Sequence, residues 1–166
     1  MSQLVAWKDS FAIDDGLIDA DHKYLISLIN DVLVAMRDGR DQDEIRRMIG
    51  RLRCFARLHF DREEILQSVA GFEERGFHAR RHNELMIQLD EAFEILAEEE
   101  PADRRGRSER RRSRSARMKT LFYGWLHAHI VREDIKMRPL VPRMRGIWSR
   151  FPPLDGTGPD LARAAG

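Results

Sequence analysis

The sequence predicts an all-α chain: an antiparallel, up-down four-helix bundle with a short N-terminal arm. An Arg-rich loop precedes the fourth helix, and a Pro-rich tail comes after it. Three observations predict this fold. Four stretches repeat apolar residues at i, i+3/i+4 and i+7, the spacing of one helix face. No stretch alternates Val, Ile and Thr over a strand length. The links between the first three stretches are short, as bundle connections are. The chain has 166 residues, 42% of them hydrophobic and 34% charged, enough for a buried core and a solvated surface.

The first stripe, in 17–37, is Leu25, Ile26, Ile29, Val32, Leu33 and Met36. In 42–68 it is Ile45, Met48, Ile49, Leu52, Phe55, Ala56 and Leu66. Asp41-Gln42-Asp43-Glu44 ahead of it has the form of a capping box, with an oxygen acceptor at the cap and Glu three later. Gly71 and Gly76 bracket the next break. In 77–98 the stripe is Leu85, Met86, Leu89, Phe93 and Leu96, and in 116–137 it is Met118, Leu121, Phe122, Trp125 and Leu126.

Residues 101–117 carry eight arginines against Asp103 and Glu109 and no Val, Ile, Leu, Phe, Trp or Tyr. They read as a flexible, solvated loop, or as a patch for nucleic acid, an acidic partner or anionic lipid. From 139 onward five prolines (Pro139, Pro142, Pro152, Pro153 and Pro159) preclude one continuous helix. Ile147, Trp148 and Phe151 are expected to pack back on the bundle, with a frayed end over 156–166. The division is a helical domain over 1–138 and an extension over 139–166.

Composition excludes several functions. Net charge is +1, and without the local +6 of the Arg-rich stretch it is −5, so no specific nucleic-acid binder is indicated. One cysteine, Cys54, excludes a disulfide framework and any thiolate-rich metal site. No apolar run approaches the roughly 20 residues of a membrane span. No secretory signal precedes the first helix, and the expectation is a cytoplasmic protein.

The chemistry lies in the histidines. Extending the first stripe backward from Leu25 and Ile26 reaches His22. The second, extended from Phe55 and Ala56, reaches His59 and then Glu63. The third, extended backward, reaches His82 and His78, and the fourth, extended from Trp125 and Leu126, reaches His129. Five imidazoles and a carboxylate thus share the inward faces of four helices. Burying each without a partner costs about 1–3 kcal/mol. A divalent metal satisfies them together, because neutral imidazole and carboxylate are ligands for iron, zinc, manganese or copper. His59/Glu63 and His78/His82 stand at i, i+4, which sets both members of each pair over one turn. His127 falls on another face and is expected to be exposed.

The residues Trp7 to Phe11, Ile18-Asp19-Ala20-Asp21-His22, His59-Phe60-x-x-Glu63-Glu64, His78-x-x-x-His82 and Trp125-Leu126-x-x-His129-Ile130-x-x-x-Asp134 form an ordered set. Over about 5–98 and 116–137 the chain resembles the hemerythrin family, in its single-domain bacterial type. The resemblance implies two non-haem iron ions with a bridging oxide or hydroxide. It implies that His78, His82 and His129 hold one iron, His22 and His59 the other, and that Glu63 and Asp134 bridge them. Spacing alone favours Glu133, about 40° from His129 on an ideal helix, over Asp134 at about 140°. The family pattern chooses Asp134, which implies a local distortion of the fourth helix or an approach from another angle.

That ligand set leaves one position open, on the iron with two histidines. The resemblance implies that dioxygen binds there reversibly, with Leu126 over the pocket and Trp125 beside it. The Glu-x-x-His motifs of ferritin-like di-iron enzymes are absent. The expectation is oxygen delivery, storage or sensing rather than an enzyme. The alternatives are a di-iron enzyme consuming peroxide or nitric oxide, and an oxygen- or redox-responsive interaction module using the Arg-rich segment.

Overall fold

The computed structural model describes residues 4–98 and 103–151. Its frame is four long helices: α1 (Leu17–Asp38), α2 (Gln42–Ala70), α3 (Arg75–Ala97) and α4 (Arg104–Leu126). The described residues contain no strand. α4 runs on into a π-helical segment (His127–Glu133) and a 3₁₀ segment (Asp134–Leu140), and then into a short α5 (Val141–Arg145). The bundle predicted from the apolar stripes is the bundle found.

Local chemistry sets the ends. Gly39 (φ 70°) and Gly71 (φ 73°) stop α1 and α2 in the left-handed conformation that glycine adopts without a Cβ penalty. Arg40 N–H then reaches back to the Ala35 carbonyl and Phe72 N–H to that of Gln67, both at 2.9 Å, as in a Schellman cap. Asp41 caps α2, accepting from the backbone N–H groups of Asp43 (2.9 Å) and Glu44 (3.3 Å). Only this half of the predicted box forms, because the Glu44 carboxylate turns to Arg40 at 3.0 Å.

The Arg-rich segment corrects the sequence reading. From Arg104 it is the first four turns or so of α4, not a loop. Asp103 accepts from Gly106 N–H at 2.7 Å and starts the helix. Arginine is a good helix former, so a lack of apolar residues does not forbid helix here. The arginines also find acceptors. Arg110 (3.0 Å) and Arg117 pair with the Glu98 carboxylate, and Arg114 donates to the Glu98 carbonyl. Arg111 donates to the carbonyls of Met36 and Arg37 at the end of α1. Cations thus sit on the negative C-terminal ends of α1 and α3.

Two apolar clusters fill the interior. The larger gathers Leu25, Ile29, Leu52, Phe55, Leu89, Phe122 and Trp125 along the bundle. The smaller gathers Ile13, Ile18, Leu66, Ala70, Met137, Val141 and Met144 at one end, with Ile147, Trp148 and Phe151 packed against it as expected. The chain after α4 therefore folds back as a cap. The expected frayed end over 156–166 lies outside the described residues. The N-terminal arm is clamped to α1, where the Asn30 side chain accepts from Val5 N–H and donates to Val5 O, each at 2.9 Å. Among the described residues no helix is long and apolar enough to cross a membrane.

Candidate metal centre

Between the two apolar clusters lies a polar layer. His22 stands one turn from Ile18, which belongs to the cap cluster, and three residues before Leu25 of the main core. His59 and Glu63 on α2, His78 and His82 on α3, and His129 and Asp134 beyond α4 complete the layer. All seven are at most 1% exposed.

Two carboxylates stand at the centre. Asp134 Oδ2 lies 3.2 Å from His22 Nε2 and 3.1 Å from His129 Nδ1, while its Oδ1 lies 3.2 Å from His78 Nε2. Glu63 Oε2 lies 3.2 Å from His82 Nε2 and 3.6 Å from His78 Nε2. Its Oε1 lies 3.6 Å from His59 Nε2 and 3.7 Å from His22 Nε2. The ligand atoms fall into two overlapping groups: His22, His59, Glu63, His129 and Asp134, and Glu63, His78, His82 and Asp134. Both carboxylates belong to both groups. His129 falls with His22 and His59 here, whereas the resemblance assigned it to His78 and His82. Its ring centroid stands 5.1 Å from His59, 5.3 Å from His22 and 5.5 Å from His82, so it lies between the two groups.

Asp134 reaches the layer because of the π-helical segment. A π turn closes i→i+5 instead of i→i+4. The bond that does so here runs from Asp134 N–H to the His129 carbonyl. The distortion that the family pattern implied is therefore present, and it sets Asp134 beside His129. Glu133, the residue that plain α spacing favours, points elsewhere, to Lys136 Nζ at 3.0 Å and Arg81 Nε at 3.8 Å.

Outer partners aim two of the rings. Asp21 Oδ2 is 3.3 Å from His59 Nδ1, and Arg62 donates to Asp21 at 3.0 and 3.1 Å. Glu64 Oε1 is 3.0 Å from His82 Nδ1 and 3.4 Å from Arg57. A carboxylate on Nδ1 fixes the tautomer that turns the Nε2 lone pair inward, as in metal-bound histidines. Phe60 stacks on His82, with centroids 4.0 Å apart and planes at 6°. Sequence reasoning gave Asp21, Glu64 and Phe60 no role, because each adjoins a ligand candidate and neighbours in sequence face different ways on a helix. Trp125 is held by Nε1–H donation to the Leu85 carbonyl (2.9 Å), with its ring 5.6 Å from that of His129. Leu126 is buried in the same core, His127 is exposed, and Cys54 is half-buried off the layer.

Electrostatics match a cation site. Burial pushes His22 and His78 down, but the carboxylates of Asp134 and Glu63 outweigh it and raise both to about 10. Burial pushes Asp134 up and Glu63 adds to that, yet the surrounding histidines bring it to about 2. Glu63 is likewise held well below its usual range by the histidines around it, against burial. Burial and the neighbouring imidazoles of His59 and His22 keep His129 neutral, against the pull of both carboxylates. Without metal, the imidazolium charges of His22 and His78 thus stand against the two carboxylates.

The donor set fits a pair of divalent ions. Both carboxylate groups and the ring nitrogens of His22, His78, His82 (Nε2) and His129 (Nδ1) include buried atoms with no hydrogen-bond partner. Such atoms are costly to bury unless something accepts their lone pairs. Imidazole and carboxylate together are the ligands of non-haem iron and similar metals.

No curated protein matches the chain. The family described as hemerythrin HHE cation binding domain matches residues 14–141. That span takes in all four helices and every residue of the polar layer, and the chain is a non-haem metal-binding protein that belongs to the hemerythrin HHE cation-binding domain family.

Proposed function

We propose that the chain is a di-iron protein that binds dioxygen reversibly, for delivery, storage or sensing in the cytoplasm. The observation that carries this reading is the pair of ligand groups sharing Glu63 and Asp134. His22, His59, His78, His82 and His129 would hold the two ions, with Glu63 and Asp134 shared between them. An iron pair held there would supply the electrons that reversible oxygen binding needs.

The chain's own residues set the terms. Five imidazoles against two bridging carboxylates bring less negative charge than a carboxylate-rich site, which supports a carrier over an oxidising enzyme. Phe60, Trp125, Leu126 and Ile130 are buried on the bundle side of the layer and exclude water from it. A dry wall limits proton entry and so protects reversible binding. Asp21 and Glu64 hold His59 and His82 in orientation throughout.

The test is an optical spectrum of anaerobically reduced, iron-loaded protein, taken before air, after air and after purging. Visible bands that appear with oxygen and vanish on purging support the reading. Bands that appear and stay would favour an enzyme consuming peroxide or nitric oxide. No bands with two irons bound would remove oxygen binding.

A further inference from the structure

The polar layer leaves one set of hydrogen bonds unmatched. The outer nitrogens of His59 and His82 face Asp21 and Glu64 at 3.3 and 3.0 Å. Those of His22 and His78 have no partner, although both rings are buried. With Nε2 turned to the carboxylates, each outer Nδ1 carries a hydrogen to donate. One buried acceptor is also unmatched. Gln67 is fully buried, its Nε2 donates to Met137 Sδ at 3.1 Å, and its Oε1 has no partner.

Helix register places these three residues near one level of the bundle. Gln67 is the next rung of the α2 stripe that holds His59 and Glu63. Helical side chains lean toward the N-terminus of their helix, so Gln67 leans back toward Glu63. His22 and His78 lie near the N-termini of α1 and α3, which run the opposite way. They lean toward the level of Gln67. Ile18, one turn before His22, packs with Leu66 and Met137, which fixes that level across the helices.

We propose that Gln67 is a positioning residue of the metal site. A buried water accepts from the outer N–H groups of His22 and His78 and donates to Gln67 Oε1. A water with three polar partners is ordinary in a protein interior. It does for His22 and His78 what carboxylates do for His59 and His82, holding the ring angle and the hydrogen on the outer nitrogen. The effect on metal affinity rests on the proposed metal site; the hydrogen bonds do not.

Gln67→Met keeps length and volume but removes the acceptor, and Gln67→Glu retains one. In metal-free protein labelled with ¹⁵N-histidine, the outer imidazole N–H signals of His22 and His78 are expected to exchange slowly with solvent. Gln67→Met should speed that exchange at least about tenfold and Gln67→Glu should keep it slow. Cobalt(II) affinity, read by chelator competition, should fall about 10–100-fold in Gln67→Met and recover in Gln67→Glu. A role in packing alone would leave the imidazole signals unchanged, and that result overturns the proposal. If Gln67→Met does not fold, the wild-type protein decides: these N–H protons must show magnetisation transfer to a long-lived water, and its absence overturns the proposal. Wild-type protein that binds no cobalt while showing those transfers would sink the metal reading and leave the Gln67 assignment standing.

Discussion

At the scale of residues, the site is a balance of buried charge. Asp21 carries the charge shared by His59 and Arg62. Asp21→Asn keeps its shape and removes that charge, and should weaken metal binding about 10–100-fold in chelator competition. pH acts through His22 and His78. Their pKa values are raised to about 10, so their protonated forms stabilise the metal-free fold fully below 6.5. That stabilisation fades as pH rises through about 10. Asp134 runs the other way: its contribution is present above 3.8 and lost as pH falls through about 2. The melting temperature of metal-free protein should therefore decline on raising pH from 6.5 to 10. Metal takes neutral imidazole, so loading near pH 7 should expel about two protons. Calorimetry in buffers of different ionisation heat measures that number directly.

At the scale of elements, α4 and its continuation carry most of what the sequence concealed. The three stripes on α1, α2 and α3 were legible because burial on one face imposes a 3.6-residue period. Six of the seven candidate ligands were legible for the same reason, as extensions of the stripes. Asp134 was not, since its place depends on a π turn that no periodicity encodes and only the family pattern implied. The Arg-rich start of α4 was misread because its stability comes from partners distant in sequence, above all Glu98. Glu98→Gln removes the one charge that Arg110 and Arg117 share. Hydrogen exchange should then speed up in the first turns of α4 while the amides around His59 stay protected. Unchanged exchange over 104–112 would mean that the helix start stands without Glu98.

At the scale of the whole molecule, the polar layer is closed on both sides by apolar packing. The main core closes it along the bundle, and the cap built from the arm, α5 and the residues after it closes the end. Met144 is fully buried in that cap. Met144→Ala should cost about 2–5 kcal/mol of stability in denaturant melts. Because the cap covers the end of the bundle next to the ligands, the same variant should lose metal to a chelator faster than the parent. The cap was foreseen only through Ile147, Trp148 and Phe151. Its helical pieces are too short to show a period, and prolines interrupt them.

The π segment also has a meaning for insertion and deletion. It is equivalent to one extra residue let into an α-helix, and every later residue inherits that offset. Deleting one residue from 130–133 would cancel that offset and leave Asp134 four residues after His129, still in place; closing the segment up as plain α-helix with all its residues would instead turn the 3₁₀ segment and α5 by about 100° and push them on about 1.5 Å. Asp134 and Met137 would then leave their places together, and Val141 and Met144 would lose theirs in the cap. The spacing of one ligand and the seating of the cap are thus a single inherited length, and neither can drift by one residue while the other stays.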